Sequence, residues 1–267
     1  MTAARRPRKR LGQHFLTDRA VVGRLVSAFA PAPGQRIVEI GPGRGALTGA
    51  LLECVAHLTV VELDRGLAQL LQKRYPPHRV TVIHADILDF NLSDAAPADV
   101  DAGAPRLRLI GNLPYNISTP LIFHLLEQIE WIEDMQFMLQ KEVAQRLCAA
   151  PGGRNYGRLS VMAAMQIHCA PLFEVPPQAF HPPPKVDSTA LRLAPKTPPL
   201  QARDRRMFSA VVAAAFAQRR KTLRNALAAL AGREHFARAG VDPALRAEAL
   251  SVEQYIALAD AVCWAAS

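Results

Sequence analysis

Three features of the chain could do chemistry: a glycine-rich run, two acids that come after it, and a turn built on Asn and Pro. The run is Glu39-Ile40-Gly41-Pro42-Gly43-Arg44-Gly45-Ala46. Glycines let the backbone turn sharply and approach a ligand closely, and a helix starting after them offers its N-terminus to an anion. The phase leaves two ligands open. As G-x-G-x-G the run suits S-adenosylmethionine, whose carboxylate would meet that N-terminus. As G-x-G-x-x-A it is also a dinucleotide fingerprint. Glu62 lies 21 residues after Gly41, where a carboxylate can accept from ribose hydroxyls, and this fits either ligand. Asp86, in His84-Ala85-Asp86-Ile87, is placed to accept from an adenine amino group, although an Asp after a strand is by default a turn residue.

The turn lies in Leu109-Ile110-Gly111-Asn112-Leu113-Pro114-Tyr115-Asn116. Asn-x-Pro-aromatic at this place resembles the active-site motif of methyltransferases acting on amino groups conjugated to a ring. An exocyclic adenine amine is a poor nucleophile, because its lone pair is delocalised into the ring. Two acceptors aimed at its N–H bonds, the Asn112 side-chain oxygen and the Leu113 main-chain carbonyl, favour a pyramidal nitrogen. Pro114 stiffens the turn, and Tyr115 offers a face on which an extruded base can stack. Hydride transfer needs no such turn, which weighs against NAD.

These residues must be positioned by strands. Apolar runs of strand length fall at Arg36–Ile40, Leu58–Leu63, Arg79–Ile83, Leu107–Gly111 and Met135–Leu139. Helical spacing separates them at Ala46–Val55, Arg65–Tyr75 and Thr119–Trp131, the last preceded by the cap pattern Ser118-Thr119-Pro120. A further helix is expected near Lys141–Cys148. Strands alternating with helices imply βαβ units and a parallel sheet. Two later extended runs, near Gln166–Val175 and Val186–Leu193, read as an antiparallel pair closing it. Composition shifts at Pro195-Lys196-Thr197-Pro198-Pro199, and beyond this linker helices are expected over Asp204–Ala217 and Arg220–Leu230, with further starts at Asp242-Pro243 and Ser251. The expected organisation is an α/β domain over residues 1–196, with a basic N-terminal arm, and a small helical domain over 197–267.

Among 267 residues half are apolar and 21% charged, the composition of a globular chain. No apolar run approaches a bilayer's thickness, and the best, Met207 to Ala217, spans 11 residues. Asp18, Arg19 and Arg24 interrupt the chain after the basic stretch Arg5–Arg10, so secretion is not expected. The four cysteines, spaced 94, 21 and 94 residues apart, have no metal or redox spacing. They read as reduced thiols in the core of a cytoplasmic protein, with neither structural zinc nor disulfides expected. Net charge is +9, distributed as +6 over residues 1–30, −2 over 31–195 and +5 over 196–267. Two basic ends around a slightly acidic middle suit a polyanion such as nucleic acid held by the flanks.

Five blocks together resemble the small-subunit ribosomal RNA adenine dimethyltransferases, the kasugamycin-sensitivity family. They are Lys9-Arg10-Leu11-Gly12-Gln13-His14-Phe15-Leu16, Glu39 to Gly45, Gly111 to Asn116, Phe180-His181-Pro182-Pro183-Pro184-Lys185-Val186-Asp187-Ser188 and Gln218-Arg219-Arg220-Lys221-Thr222-Leu223-Arg224-Asn225. The resemblance covers nearly the whole chain, in order. It implies a Rossmann-like class I methyltransferase sheet, S-adenosylmethionine as methyl donor without a metal, and N6,N6-dimethylation of two adjacent adenosines in a hairpin loop near the 3′ end of 16S rRNA. It implies cofactor contacts from His14, Leu16, Gly41, Glu62, Asp86 and Asn112. His14 stands where many relatives have Asn, and both offer a side-chain hydrogen bond. Catalysis would fall to Asn112, Leu113, Pro114 and Tyr115, with Phe180 as a second aromatic near the base, or else a core residue beside the prolines. RNA contacts would come from Arg8, Lys9 and Arg10 and from Arg219, Arg220 and Lys221 at a helix start. The expected partner is the small ribosomal subunit or its precursor, engaged by a monomer away from any membrane.

Overall fold

Runs rich in Val, Ile and Leu form a central sheet, as the sequence predicts. In the computed structural model, which describes residues 13–95 and 106–264, the strands are β1 (Phe15–Leu16), β2 (Arg36–Ile40), β3 (Leu58–Glu62), β4 (Val80–His84), β5 (Leu107–Asn112), β6 (Ile132–Gln140), β7 (Ile167–Val175), β8 (Phe180–His181) and β9 (Ser188–Pro195). Seven of them form one sheet in the order β4-β3-β2-β5-β6-β9-β7, and β1 pairs with β8 separately. The first five are parallel neighbours, and β9 runs antiparallel to β6 with Ser188 opposite Gln140. The fold is α/β.

The helices are α1 (Arg19–Phe29), α2 (Ala46–Leu51), α3 (Arg65–Arg74), α4 (Ser118–Glu127), α5 (Lys141–Leu147), α6 (Arg158–Gln166), α7 (Arg205–Ala217), α8 (Leu223–Ala226), α9 (Arg233–Ala239) and α10 (Val252–Trp264). Asp18 starts α1 by accepting from the N–H groups of Ala20 and Val21, and Asp64 starts α3 in the same way. The α1 residues Val21, Val22, Leu25 and Phe29 then pack into the core with Leu16, Ile110 and Phe180. Two compact units result, Met1–Ala144 with Ala170–Pro195, and Gln145–Cys169 with Lys196–Ser267. Residues 145–169 thus group with the C-terminal helices, which the composition shift at Pro195 does not by itself indicate. The second unit has its own aromatic centre, where the Phe216 ring lies 6.1 Å from Tyr156 and 5.9 Å from Tyr255.

Some expectations need correction. Helix α8 covers Leu223–Ala226 rather than Arg220–Leu230, because Thr222 bridges to Arg246 as extended backbone and stands as the N-cap of this shorter helix. No helix starts at Asp242, whose side chain instead accepts from the Ala244 N–H at 2.8 Å and closes a turn. The cysteines are not buried thiols. Cys148 and Cys169 form a disulfide with Cα atoms 5.5 Å apart, Cys54 is exposed and Cys263 half-buried. Helix α6 turns the chain back between Cys148 and Cys169, a meeting that their spacing in sequence does not reveal.

At the amino-terminal end of β5, Arg108 lies directly opposite Asp134 of β6 and both are buried. Arg108 donates Nε and Nη2 to the two Asp134 oxygens at 2.7 and 2.8 Å. Its remaining donors reach Phe29 O at 2.7 Å and Gln35 Oε1 at 2.7 Å, and its guanidinium lies 4.1 Å from the Phe29 ring centre. This fork ties the end of α1 to the sheet.

Candidate active site

Beyond the carboxyl ends of the parallel strands the order reverses between β2 and β5, the switch point where open α/β sheets bind ligands. A pocket opens there, and it is lined by all six residues implied to touch the cofactor: His14, Leu16, Gly41, Glu62, Asp86 and Asn112. Leu113, Pro114 and Tyr115 line it too. Apart from His14 and Leu16, which the β1–β8 pair carries, each stands at or just past an end of a strand of the central sheet, so the sheet sets their spacing. Gly111 brings β5 against β2, since a Cβ on it would lie 2.4 Å from Ile40 O.

The glycine turn needs left-handed backbone at Gly41, Gly43 and Gly45, with φ of 67°, 58° and 78°. Its N–H groups are engaged within the protein. Gly43 N–H donates to Glu62 Oε2 at 3.0 Å and Gly45 N–H to Pro42 O at 2.9 Å. The other Glu62 oxygen accepts from Asp64 N–H at 2.8 Å. Helix α2 behind the turn has only six residues. This is not a cradle for a pyrophosphate, and the dinucleotide phase of the motif falls away.

Electrostatics point the same way. Glu39, 2% exposed, accepts from Thr48 Oγ1 at 2.6 Å and feels the charge of Glu62. Burial pushes the Glu39 carboxyl up to about 8, against 4.5 for an ordinary glutamate. Burial also raises Glu62, opposed by the Asp64 and Gly43 N–H groups. At about 8, Glu39 holds its proton at neutral pH. The other acids lining the pocket, Glu62 and Asp86, outnumber Arg44, a balance that favours a cationic ligand over an anionic one. S-adenosylmethionine, with a sulfonium and an ammonium, has that character. Asp86 spends Oδ1 on the Leu88 N–H at 3.0 Å, the ordinary turn role, while lining the pocket. Among the described residues no group of three or more His, Cys, Asp or Glu is placed to hold a metal ion.

The Asn112 amide is anchored by its nitrogen, which donates to His14 O at 2.9 Å. That bond assigns the flip and leaves Oδ1 as an acceptor. Leu113 N–H donates to Met138 O at 3.2 Å, fixing the turn to β6. The His14 ring donates Nδ1–H to Pro182 O at 2.7 Å, and its centre lies 5.5 Å from the Tyr115 ring. The Tyr115 hydroxyl meets Ser188 Oγ at 2.6 Å, and burial holds its phenol above the usual tyrosine range. Phe180 is not brought to this cleft. It is 3% exposed, paired opposite Leu16 and packed into the core, so the aromatic beside Tyr115 is His14. Sequence reasoning assigned no role to Glu39 or Ser188, although both stand inside its motif blocks.

Of the basic residues, Arg8, Lys9 and Arg10 lie outside the described residues. Arg219, Arg220 and Lys221 are exposed, in a turn before α8 rather than at a helix start. Arg219 donates Nη2 to Arg154 O at 3.1 Å and Tyr156 O at 3.0 Å, holding a neighbouring loop of its own unit.

A parallel sheet with a ligand pocket at its switch point, acids at its strand ends and an Asn-x-Pro-Tyr turn defines a Rossmann-like, S-adenosylmethionine-dependent methyltransferase. The chain belongs to a family within that class, described as Ribosomal RNA adenine dimethylase, whose sequence profile matches residues 4–262. It is 52% identical over 253 residues to "Ribosomal RNA small subunit methyltransferase A" of Thiobacillus denitrificans, covering 94% of this chain and 96% of that one. A protein of the same description from Alcanivorax borkumensis is 53% identical over 258 residues, with coverage of 96% and 90%. The fold is shared with a dimethyladenosine transferase from Plasmodium falciparum (TM-score 0.75, 22% identity, 92% and 96% coverage) and with the 23S rRNA methyltransferase ErmE (0.68, 24%, 93% and 99%).

Proposed function

We propose that this protein transfers methyl groups from S-adenosylmethionine to N6 of two adjacent adenosines in a hairpin loop near the 3′ end of 16S rRNA, giving N6,N6-dimethyladenosines during ribosome biogenesis. The observation that carries the reading is the Asn112 amide, held by His14 O so that its oxygen is available at the pocket that Glu62 and Asp86 also line. The curated relatives named for the small subunit support the choice of rRNA.

S-adenosylmethionine, when bound, supplies an electrophilic methyl group. Glu62, Asp86, Gly41, Leu16 and His14 would hold it. The remaining chemistry belongs to the chain. Asn112 Oδ1 and the Leu113 carbonyl accept from the two N6–H bonds and turn the nitrogen lone pair toward the methyl donor. Tyr115 stacks on the extruded adenine and orders it, so positioning and charge complementarity supply the catalysis, and the proton lost from N6 with each transfer leaves to water. The raised phenol keeps Tyr115 protonated and uninvolved in proton transfer. Residues 197–267 recognise RNA, with Arg220 and Lys221 on phosphate, and Arg8, Lys9 and Arg10 add contacts from the N-terminal arm. The protein acts as a cytoplasmic monomer on the small subunit or its precursor.

The test supplies labelled methyl donor with unmethylated small subunits, large subunits or naked 16S rRNA, and locates the label by mass spectrometry. Two neighbouring dimethyladenosines in small-subunit rRNA are expected. Label confined to large-subunit rRNA would overturn the substrate.

A further inference from the structure

Ser188 is 0% exposed and lies in a sequence block for which the reaction above has no use. Its Oγ meets the Tyr115 hydroxyl at 2.6 Å. The turn that carries Tyr115 is fixed without this bond. Leu113 N–H reaches Met138 O at 3.2 Å, Ile117 N–H reaches Pro114 O at 3.2 Å, and Ser118 Oγ donates to Pro114 O at 3.1 Å. Those contacts set the main chain, yet a tyrosine ring keeps two torsions of its own. Side-chain contacts settle them, and two on this ring are a ring contact with His14 and the hydrogen bond to Ser188.

Ser188 is suited to hold a ring still because its main chain is held and its side chain is buried. It opens β9 opposite Gln140 of β6, and the preceding carbonyl, Asp187 O, accepts from Lys141 N–H at 3.0 Å. We infer that Ser188 is a positioning residue, whose hydroxyl fixes the plane of the Tyr115 ring on which the target adenine stacks. The inference rests on the base-methylation reading above. A ring ordered before the base arrives loses less freedom on stacking, so the benefit falls on methyl transfer rather than on cofactor binding. The pair does no acid–base work, since burial keeps the phenol protonated.

The test uses the full chain as wild type, Ser188→Ala, Tyr115→Phe and the double variant. Single-turnover methylation of unmethylated small subunits is measured at saturating S-adenosylmethionine, cofactor affinity by calorimetry, and the labelled Tyr115 Cζ resonance by NMR. Ser188→Ala should slow methyl transfer about five- to tenfold, the effect of losing one hydrogen bond, with cofactor affinity nearly unchanged. The double variant should be no slower than Tyr115→Phe alone, because both changes remove the same bond. The Cζ resonance should move in Ser188→Ala. Wild-type speed in Ser188→Ala, or multiplied effects in the double variant, overturns the inference. If the wild-type protein methylates no rRNA, the functional reading falls and takes the stacking role with it. An unmoved Cζ resonance instead removes the anchor while leaving that reading intact.

Discussion

At the amino-terminal end of β5 a buried guanidinium meets a buried carboxylate, whereas at the carboxyl ends of β2 and β3 two buried carboxyl groups are held by a hydroxyl and main-chain N–H groups. Both sites lie on one sheet. The Arg108–Asp134 pair is saturated: Arg192 also reaches Asp134, and Arg108 spends its remaining donors on α1 and Gln35. Glu39 and Glu62 are bonded to Thr48 and to main-chain N–H groups, and burial raises both. A carboxylate paired with a guanidinium holds structure, whereas carboxyl groups raised by burial and held by neutral donors line the place where a ligand binds. The difference separates scaffold from binding site without reference to any relative.

The contrast can be broken most forcefully at the scaffold end. Replacing Arg108 by Met leaves the buried Asp134 carboxylate only the half-exposed Arg192 as a partner and should lower unfolding free energy by about 3 kcal/mol. Urea denaturation reads this directly, and a loss no larger than that of a surface change would make the pair dispensable. At the functional end, Asn112→Ala should slow single-turnover methylation by on the order of a hundredfold. It should leave the denaturation midpoint almost unmoved; an effect on stability and none on rate would reverse the assignment.

Glu62→Ala should weaken S-adenosylmethionine binding about ten- to a hundredfold, as loss of hydrogen bonds to a charged group does. It also unties Gly43 N–H, so calorimetry is to be paired with NADH as control. Tight NADH binding by wild type would return the dinucleotide reading. Glu39 sharpens the comparison through pH. An unfolded glutamate loses its proton near 4.5, and folded Glu39 keeps it to about 8. Folding therefore takes up a proton between those values, so this group makes stability fall as pH rises through the window, by up to about 1.4 kcal/mol per unit. Glu39→Gln should flatten that slope in a pH series of melts. The smallest effect is expected in the basic turn. Arg220→Ala with Lys221→Ala should reduce the slope of log affinity for RNA against log salt by about 1.5. Arg219 is left in place because it holds the 154–156 loop.

Periodicity and glycine spacing made most of the sheet and the pocket legible in advance. Strand β2 begins and ends where its apolar run does. Strand β6 extends three residues further toward its start than Met135, because Asp134 looks like loop until Arg108 is seen opposite it. Pairing across strands is not written in the local pattern. The same limit left Phe180 open between base and core, since a two-residue strand has no alternation from which to tell inside from outside. The glycine run alone left two cofactors open, and the choice between them came from the Asn112 turn and the family blocks. The structure adds that Glu62, 19 residues away in sequence, takes the Gly43 N–H.

Gly111 bears on how such a site can vary. With a Cβ excluded at 2.4 Å from Ile40 O, the strands bearing the glycine turn and the Asn112 turn touch backbone to backbone. Their separation is a hard stop, with no side chain between them for selection to lengthen or shorten. Any drift in what this pocket accepts must therefore come from its walls, because the gauge between donor and acceptor is cut in main chain.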